Sequence, residues 1–145
     1  MRAWEEADLD WLAAMNRALI DDAGGRSGLT PEGFVARFRR RAAEGYRIVV
    51  FEFDARRVGF ASDLPKVADD GLPYTHLAQF HIAREHRGRG LGRRAYALLA
   101  AGWPAGGRVT LDVLCTNAVG RRFWESLGYS PFSVAMEAVL PERAT

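Results

Sequence analysis

The sequence holds one cysteine, Cys115, and one lysine, Lys66, in 145 residues. A lone thiol can neither close an intramolecular disulfide nor join a multi-cysteine metal site, so no metal is expected and the fold must rest on its core. A single free thiol also suits a reducing compartment. Long apolar runs are missing as well: none approaches the ~18–20 residues that cross a bilayer, which excludes a membrane-spanning role. The acidic opening Glu5-Glu6-Ala7-Asp8 is unlike a secretory leader, and the expected location is the cytoplasm. Repeats, low-complexity tracts and linkers are absent, and the length suits one domain over residues 1–145. With 48% hydrophobic and 26% charged residues, the composition is that of a globular protein.

What the sequence does have is arginine. Net charge is only +2, yet Arg84, Arg87, Arg89, Arg93 and Arg94 crowd together with Glu85 alone opposing them. Guanidinium forks match phosphate oxygens. A charge run by itself reads as a solvated face, but three glycines, Gly88, Gly90 and Gly92, are woven through this one and turn the reading toward a bound anion. Nucleic acid is not the expected partner, because the net charge is modest and no series of stacking aromatics accompanies the cluster.

Leu9, Leu12, Met15 and Leu19 recur at helical spacing between Glu5 and Asp22, ending before Gly24-Gly25. Thr30-Pro31 reads as the cap and first turn of a second helix that points Phe34, Phe38 and Ala42 inward and closes at Gly45. Tyr46–Phe53 and Val58–Ser62 form a hairpin across Asp54-Ala55-Arg56-Arg57, and Leu64–Tyr74, with two prolines, reads as a loop. Then follow a strand His76–Ile82, the glycine loop, a helix Leu91–Gly102, a strand Arg108–Leu114, a helix Asn117–Leu127 and a last strand near Phe132–Val139. That alternation implies a βαβ crossover within a mixed sheet.

Glycines between a strand and a helix let consecutive amides aim at one anion, at the positive end of the helix dipole; the bland reading is a tight turn. A Walker loop would need Gly-Lys-Ser/Thr, which is absent. A dinucleotide fingerprint starting at Gly88 and Gly90 would put its third glycine on Arg93. Asp112 does mimic that fold's ribose-binding acid, but too few strand–helix units remain after the loop for a dinucleotide domain. The pattern is R-x-x-G-x-G, from Arg87 through Gly90 to Gly92.

This motif, and downstream Asn117 followed by Phe123-Trp124-Glu125-Ser126-Leu127-Gly128-Tyr129, resemble two blocks of the GNAT (GCN5-related N-acetyltransferase) superfamily: Q/R-x-x-G-x-G/A and N-x-x-A-x-x-F-Y-x-x-x-G-F. The opening Arg2-Ala3-Trp4-Glu5-Glu6-Ala7-Asp8-Leu9 is similar to the family's usual start, with little chain before it and so a first strand that is short or missing. The resemblance implies an α/β fold: a central twisted mixed sheet with helices on both faces and strands four and five splayed apart. It also implies acetyl-CoA, or another acyl-CoA, as co-substrate, attacked directly by an amine of a small molecule or peptide. The alternative is a GNAT-like module that binds acyl-CoA without turnover.

By the same resemblance, the amides of Arg87, Gly88, Arg89, Gly90, Leu91 and Gly92 hold the pyrophosphate, and those near Phe80, His81 and Ile82 pair with the pantetheine arm and polarise the thioester. Asn117 contacts the pantetheine while capping its helix, and Phe123 and Trp124 belong to the cofactor block. Some protein group or water must take a proton from the attacking ammonium. His76 falls where some members carry a glutamate base; a surface histidine is its bland reading. Gln79 shares parity with His81, opposite to His76 unless a bulge intervenes, and could bind substrate or water. The usual proton donor to the thiolate is a tyrosine, replaced here by Trp124, which leaves Tyr129 as a substitute. Cys115 reads as a buried structural thiol rather than a nucleophile. Trp4, Trp11 and the edge offered by the last strand make a homodimer plausible.

Overall fold

The computed structural model describes residues 1–143. Five strands lie in sequence order: β1 (Arg2–Ala3), β2 (Arg47–Phe53), β3 (Arg56–Val67), β4 (Pro73–Ile82) and β5 (Arg108–Thr110). The first three junctions are antiparallel, and β4–β5 is parallel. A parallel pair needs a crossover, which α3 (Leu91–Ala100) supplies. The other helices are α1 (Leu9–Ala23), α2 (Pro31–Ala43) and α4 (Ala118–Ser126).

Period-two alternation along β2 divides the core in two. Ile48 and Val50 pack with Leu9 and Leu12 of α1, Phe38 of α2 and Phe60. Val49 and Phe51 pack on the opposite face with Ala61, Leu77, Ile82 and the α3 residues Ala95 and Leu99. Helices therefore cover both faces of the sheet. Local chemistry marks helix ends. Thr30 Oγ1 accepts from Gly33 N at 3.1 Å to cap α2, and α1 stops where Gly24 turns to φ 75°.

The first strand, expected to be short or missing, is short: two residues, with Arg2 opposite Val50. Other expectations are corrected. The supposed loop Leu64–Tyr74 is mostly hairpin: Leu64 pairs with His76 and Val67 with Pro73, leaving only Ala68–Leu72 as the turn. Its prolines are tolerated because β3 has no β2 neighbour beyond Asp63 and Pro73 opens its strand, so neither removes a needed donor. The strand expected over Arg108–Leu114 ends at Thr110, and Phe132–Val139 forms no strand because nothing pairs with it. Helical spacing puts Leu91, Ala95, Leu98 and Leu99 on one apolar face of α3, but Leu98 is exposed. Cys115 is exposed too, not buried.

Two buried carboxylates fasten the strands. Asp63 takes Arg47 Nη2 at 2.6 Å and Trp103 Nε1 at 3.2 Å. Asp8 takes Arg2 at 2.7 and 3.0 Å and Arg57 at 3.3 Å, tying β1 and β3 to the start of α1. The hydrogen bond from Arg2 holds the Asp8 carboxyl at about 2, down from 3.8. A carboxyl depressed in this way stabilises the fold fully above pH ~4 and loses that contribution as pH falls toward 2. Asp8→Asn is expected to cost about 2 kcal/mol at neutral pH. In acid titrations followed by circular dichroism, its stability should be flatter than the wild type's between pH 4 and 2.

Candidate active site

β5 leaves β4 after three pairs, the last being His76 with Thr110. Beyond that fork, residues 77–82 keep β3 on one side and have no strand on the other. In an antiparallel strand alternate N–H and C=O groups point to each side, so the open flank presents main-chain donors and acceptors.

At the end of β4 the chain makes a 3-10 turn over Arg84–His86 and enters the glycine loop. Gly88 and Gly90 adopt φ 74° and 73°, where a side chain would be strained, and a Cβ on either would meet nothing within 4 Å. Their surroundings are open space, so the glycines serve backbone conformation and approach, not tight packing. The Arg87 amide, counted with the cradle by sequence, instead donates to Arg84 O at 3.2 Å. Among the described residues, the amides of 88–93 enter no turn or cap hydrogen bond, and the Arg94 amide is the first to return, to Gly90 O at 3.2 Å. Six unengaged donors at the head of α3 make an anion cradle.

The arginines divide the work around it. Arg87 Nε donates to Ile82 O at 2.8 Å and its Nη2 to Asp22 Oδ2 at 2.6 Å, while Arg84 Nη2 takes Asp22 Oδ1 at 2.6 Å. Burial works against the Asp22 charge, yet the bonds from Arg87 and Arg84 prevail and keep its carboxyl below the ordinary value. Arg87 is thus a strut between α1 and the loop. Arg89 and Arg94 lie over the Phe53 ring at 5.6 and 5.8 Å and pair with no carboxylate among the described residues. Arg93 reaches Ser126 Oγ at 2.9 Å and joins α3 to α4.

Sequence reasoning missed Asp22. The signal was present: Asp21 and Asp22 end a helix whose last turn carries no basic residue, the pole that disfavours anions. Acids placed there imply cations from elsewhere.

Aromatic side chains wall the open flank. Phe80 stacks on Phe123 at 5.9 Å and meets Trp124 edge-on at 5.4 Å. A Cβ on Gly92 would lie 3.4 Å from Phe123, so this glycine lets α4 close on the loop. Trp124 also meets Tyr129 at 5.4 Å. Tyr129 and Tyr96 share a hydroxyl hydrogen bond of 3.0 Å, and burial, followed by that bond, pushes the Tyr129 phenol up. Asn117 Oδ1 caps α4 by accepting from Gly120 N at 2.9 Å.

The polar residues of β4 are rearranged by a bulge. Leu77 faces Asp63 and Gln79 faces Ser62, so Ala78 is an extra residue. Leu77 and Phe80 consequently pack with the same cluster although three residues separate them. The bulge corrects the parity expected of His76: it shares the α1-facing side with Gln79 and His81. His76 Nδ1 lies 3.1 Å from Thr110 Oγ1 and its Nε2 3.8 Å from Asp112 Oδ2, at the apex of the fork. Gln79 Oε1 is occupied by Ser62 Oγ at 3.0 Å. His81 is buried with Nε2 unpartnered. Burial first, then the Arg87 charge, lowers it from 6.5 to about 4, so it is uncharged at neutral pH.

A polar hollow by Arg2, Asp8 and Arg57 and an apolar one by Ala13, Leu29 and Phe34 contain none of these residues.

The sheet thus parts at its parallel junction, and a run of unengaged amides lies at the head of the crossover helix. The sequence matches the model of the Acetyltransferase (GNAT) family over residues 10–129, and the chain belongs to that family, whose general chemistry is acyl transfer. No curated protein matches it. A possible acetyltransferase from Clostridium difficile 630 superposes with TM-score 0.77 at 15% identity, covering 98% of this chain and 97% of that one. The ribosomal-protein-alanine N-acetyltransferase of Brucella melitensis biovar Abortus 2308 gives 0.72 at 14% identity, with 96% and 98% covered. A predicted acetyltransferase with acetyl-CoA from Clostridium acetobutylicum gives 0.74 at 12%, with 95% and 94% covered. At these identities the likeness is one of fold. No helix among the described residues is long and apolar enough to cross a membrane.

Proposed function

We propose that this chain, acting as one domain in the cytoplasm, is an N-acetyltransferase that moves the acetyl group of acetyl-CoA to a primary amine of a small molecule or peptide, both substrates being bound together. The observation that carries the reading is the run of unengaged amides at residues 88–93 beside a β4 flank that β5 has left open. The cradle fits a diphosphate in charge and geometry, with Arg89 and Arg94 nearby to add guanidinium donors. The acetyl-CoA bound by the Clostridium acetobutylicum protein supports the choice of ligand. The thioester supplies an activated acyl group with a thiolate to leave.

The chain's own residues supply position and proton movement. Amides of Phe80 to Ile82 on the open flank polarise the acyl oxygen, and Asn117, Phe123 and Trp124 flank the arm. His76 takes the ammonium proton, and Gln79 orients a water or the acceptor. Tyr129, a neutral phenol bonded to Tyr96, is the nearest replacement for the tyrosine that Trp124 displaces.

Thiol release from acetyl-CoA across a panel of amines tests this directly. His76→Ala should lower kcat about 100-fold at neutral pH with KM for acetyl-CoA unchanged, and an unaltered kcat would remove His76 from the mechanism. Tight acetyl-CoA binding without release for any amine would make the chain an acyl-CoA-binding module, the reading that Trp124 favours.

A further inference from the structure

The helices seal the α1-facing side of the sheet only part of the way along. One cross-strand row on that side, Ile48, Ser62 and Gln79, is buried. The next row is half-open. Leu64 stands opposite His76, and His76 opposite Thr110; on the other side, continuing the register that pairs Arg47 with Asp63 sets Tyr46 beside Leu64. Tyr46, Leu64, His76 and Thr110 are each half-buried. Neighbouring strands lie ~4.8 Å apart, so Tyr46 and His76 stand two spacings, about 10 Å, from each other along one shelf.

α2 ends against the Tyr46 end of this shelf, where a Cβ on Gly45 would lie 3.9 Å from Leu64 Cδ1. The arginines of the helix are unequally partnered. Arg39 reaches Glu6 at 2.9 Å and Arg40 reaches Glu44 at 3.7 Å. Arg37 and Arg41 meet no carboxylate among the described residues and lie instead over aromatic rings, Phe34 at 5.6 Å and Tyr46 at 5.4 Å. Both are half-buried, and Arg41 Nη1 is shut off from solvent without a hydrogen-bond partner. Burial first, then a neighbouring guanidinium, works against each charge: Arg40 on Arg37, and Arg37 on Arg41. Two like charges one helical turn apart, partly desolvated and uncompensated, weaken the fold. An anion from outside would offset that cost by neutralising them.

We propose that Arg37 and Arg41 recognise a carboxylate on the acceptor, and that the acceptor is a short peptide lying along the shelf with its amine at His76 and its terminal carboxylate at the α2 arginines. This assignment rests on the role proposed for His76 at the amine. The separation sets the length: an extended chain spans at most ~3.3–3.6 Å per residue, so about three residues cover the distance from His76 to Tyr46. Guanidinium forks take carboxylates through paired, charge-assisted hydrogen bonds. An amine without the anion leaves both charges uncompensated and is selected against.

Triglycine and triglycine amide, which differ only in the terminal charge, test the preference as acceptors. In the wild type kcat/KM for triglycine should exceed that for the amide about 30-fold. Arg41→Gln should erase the difference by raising KM for triglycine, with KM for acetyl-CoA and thermal stability no worse than in the wild type. Arg40→Gln should keep the difference. Titration calorimetry of both peptides against the CoA-bound protein makes the same comparison without turnover. Triglycine binding that Arg41→Gln abolishes, in a protein that releases no thiol, supports the carboxylate site while removing the acetylation. Equal treatment of acid and amide by the wild type, a preference that survives both Arg37→Gln and Arg41→Gln, or no binding of triglycine at all overturns the proposal.

Discussion

Gly90→Asp is expected to lower affinity for acetyl-CoA by about 10,000-fold, measured by titration calorimetry. Two independent penalties act at this position. Gly90 caps α3 with φ 73°, a conformation that costs an L-residue about 1–2 kcal/mol, so the loop relaxes away from the shape that aligns its amides. The carboxylate also lands within the cradle. A unit charge near 4 Å from another at an effective dielectric of about 20 contributes about 4 kcal/mol, here repulsive toward a diphosphate. Steric exclusion is not a third penalty, because a Cβ at Gly90 meets nothing within 4 Å. That separation gives the prediction its control. Gly90→Ala carries only the conformational cost, so it should lose about tenfold, and the gap between the two variants reads the charge. If Gly90→Asp binds acetyl-CoA as the wild type does, the diphosphate is not held at this loop.

The features legible in the sequence are those written in local chemistry. The α2 cap at Thr30, the glycine loop, the α4 cap at Asn117 and the β-branched and aromatic run Tyr46–Phe53 each depend on residues a few positions apart. What escaped is decided by distant partners. The hairpin over Leu64–Tyr74 looked like a loop because Pro65 and Pro73 oppose a ladder, and only the absence of β2 beyond Asp63 makes Pro65 harmless. The bulge at Ala78 has no local mark at all, since it arises from the register of β3 against β4. It decides the parity that the sequence left open, placing His76 on the face of Gln79 and His81. Arg87 illustrates the limit of motif reading: the residue was rightly placed at the loop, but its guanidinium is bound to Asp22, 65 positions earlier. The last strand expected near Phe132–Val139 does not form, because a run of β-prone residues becomes a strand only against a neighbour and none pairs with it.

Gly59→Val is expected to be the most damaging change to the fold. Gly59 stands opposite Ile82 in the β3–β4 ladder. A Cβ there would lie 2.2 Å from His81 O, 2.8 Å from Ile82 Cδ1 and 3.1 Å from Ile82 Cα. Two of those three atoms are backbone, so a rotamer change cannot relieve the clash and the strands must part. Overpacking of this kind costs about 3 kcal/mol or more, which for a domain of this size lowers Tm by roughly 10 °C. The displaced segment is the part of β4 whose free flank borders the site, and Arg87 is bonded to Ile82 O at 2.8 Å, so the loop moves with it. Loss of activity should therefore accompany loss of stability, with acetyl-CoA affinity falling even at temperatures where the variant remains folded. Gly59→Ala should show the same pattern in milder form. A variant with wild-type Tm and wild-type affinity would mean that β3 does not approach β4 this closely, and that the position of β4 at the site does not depend on the glycine across from Ile82.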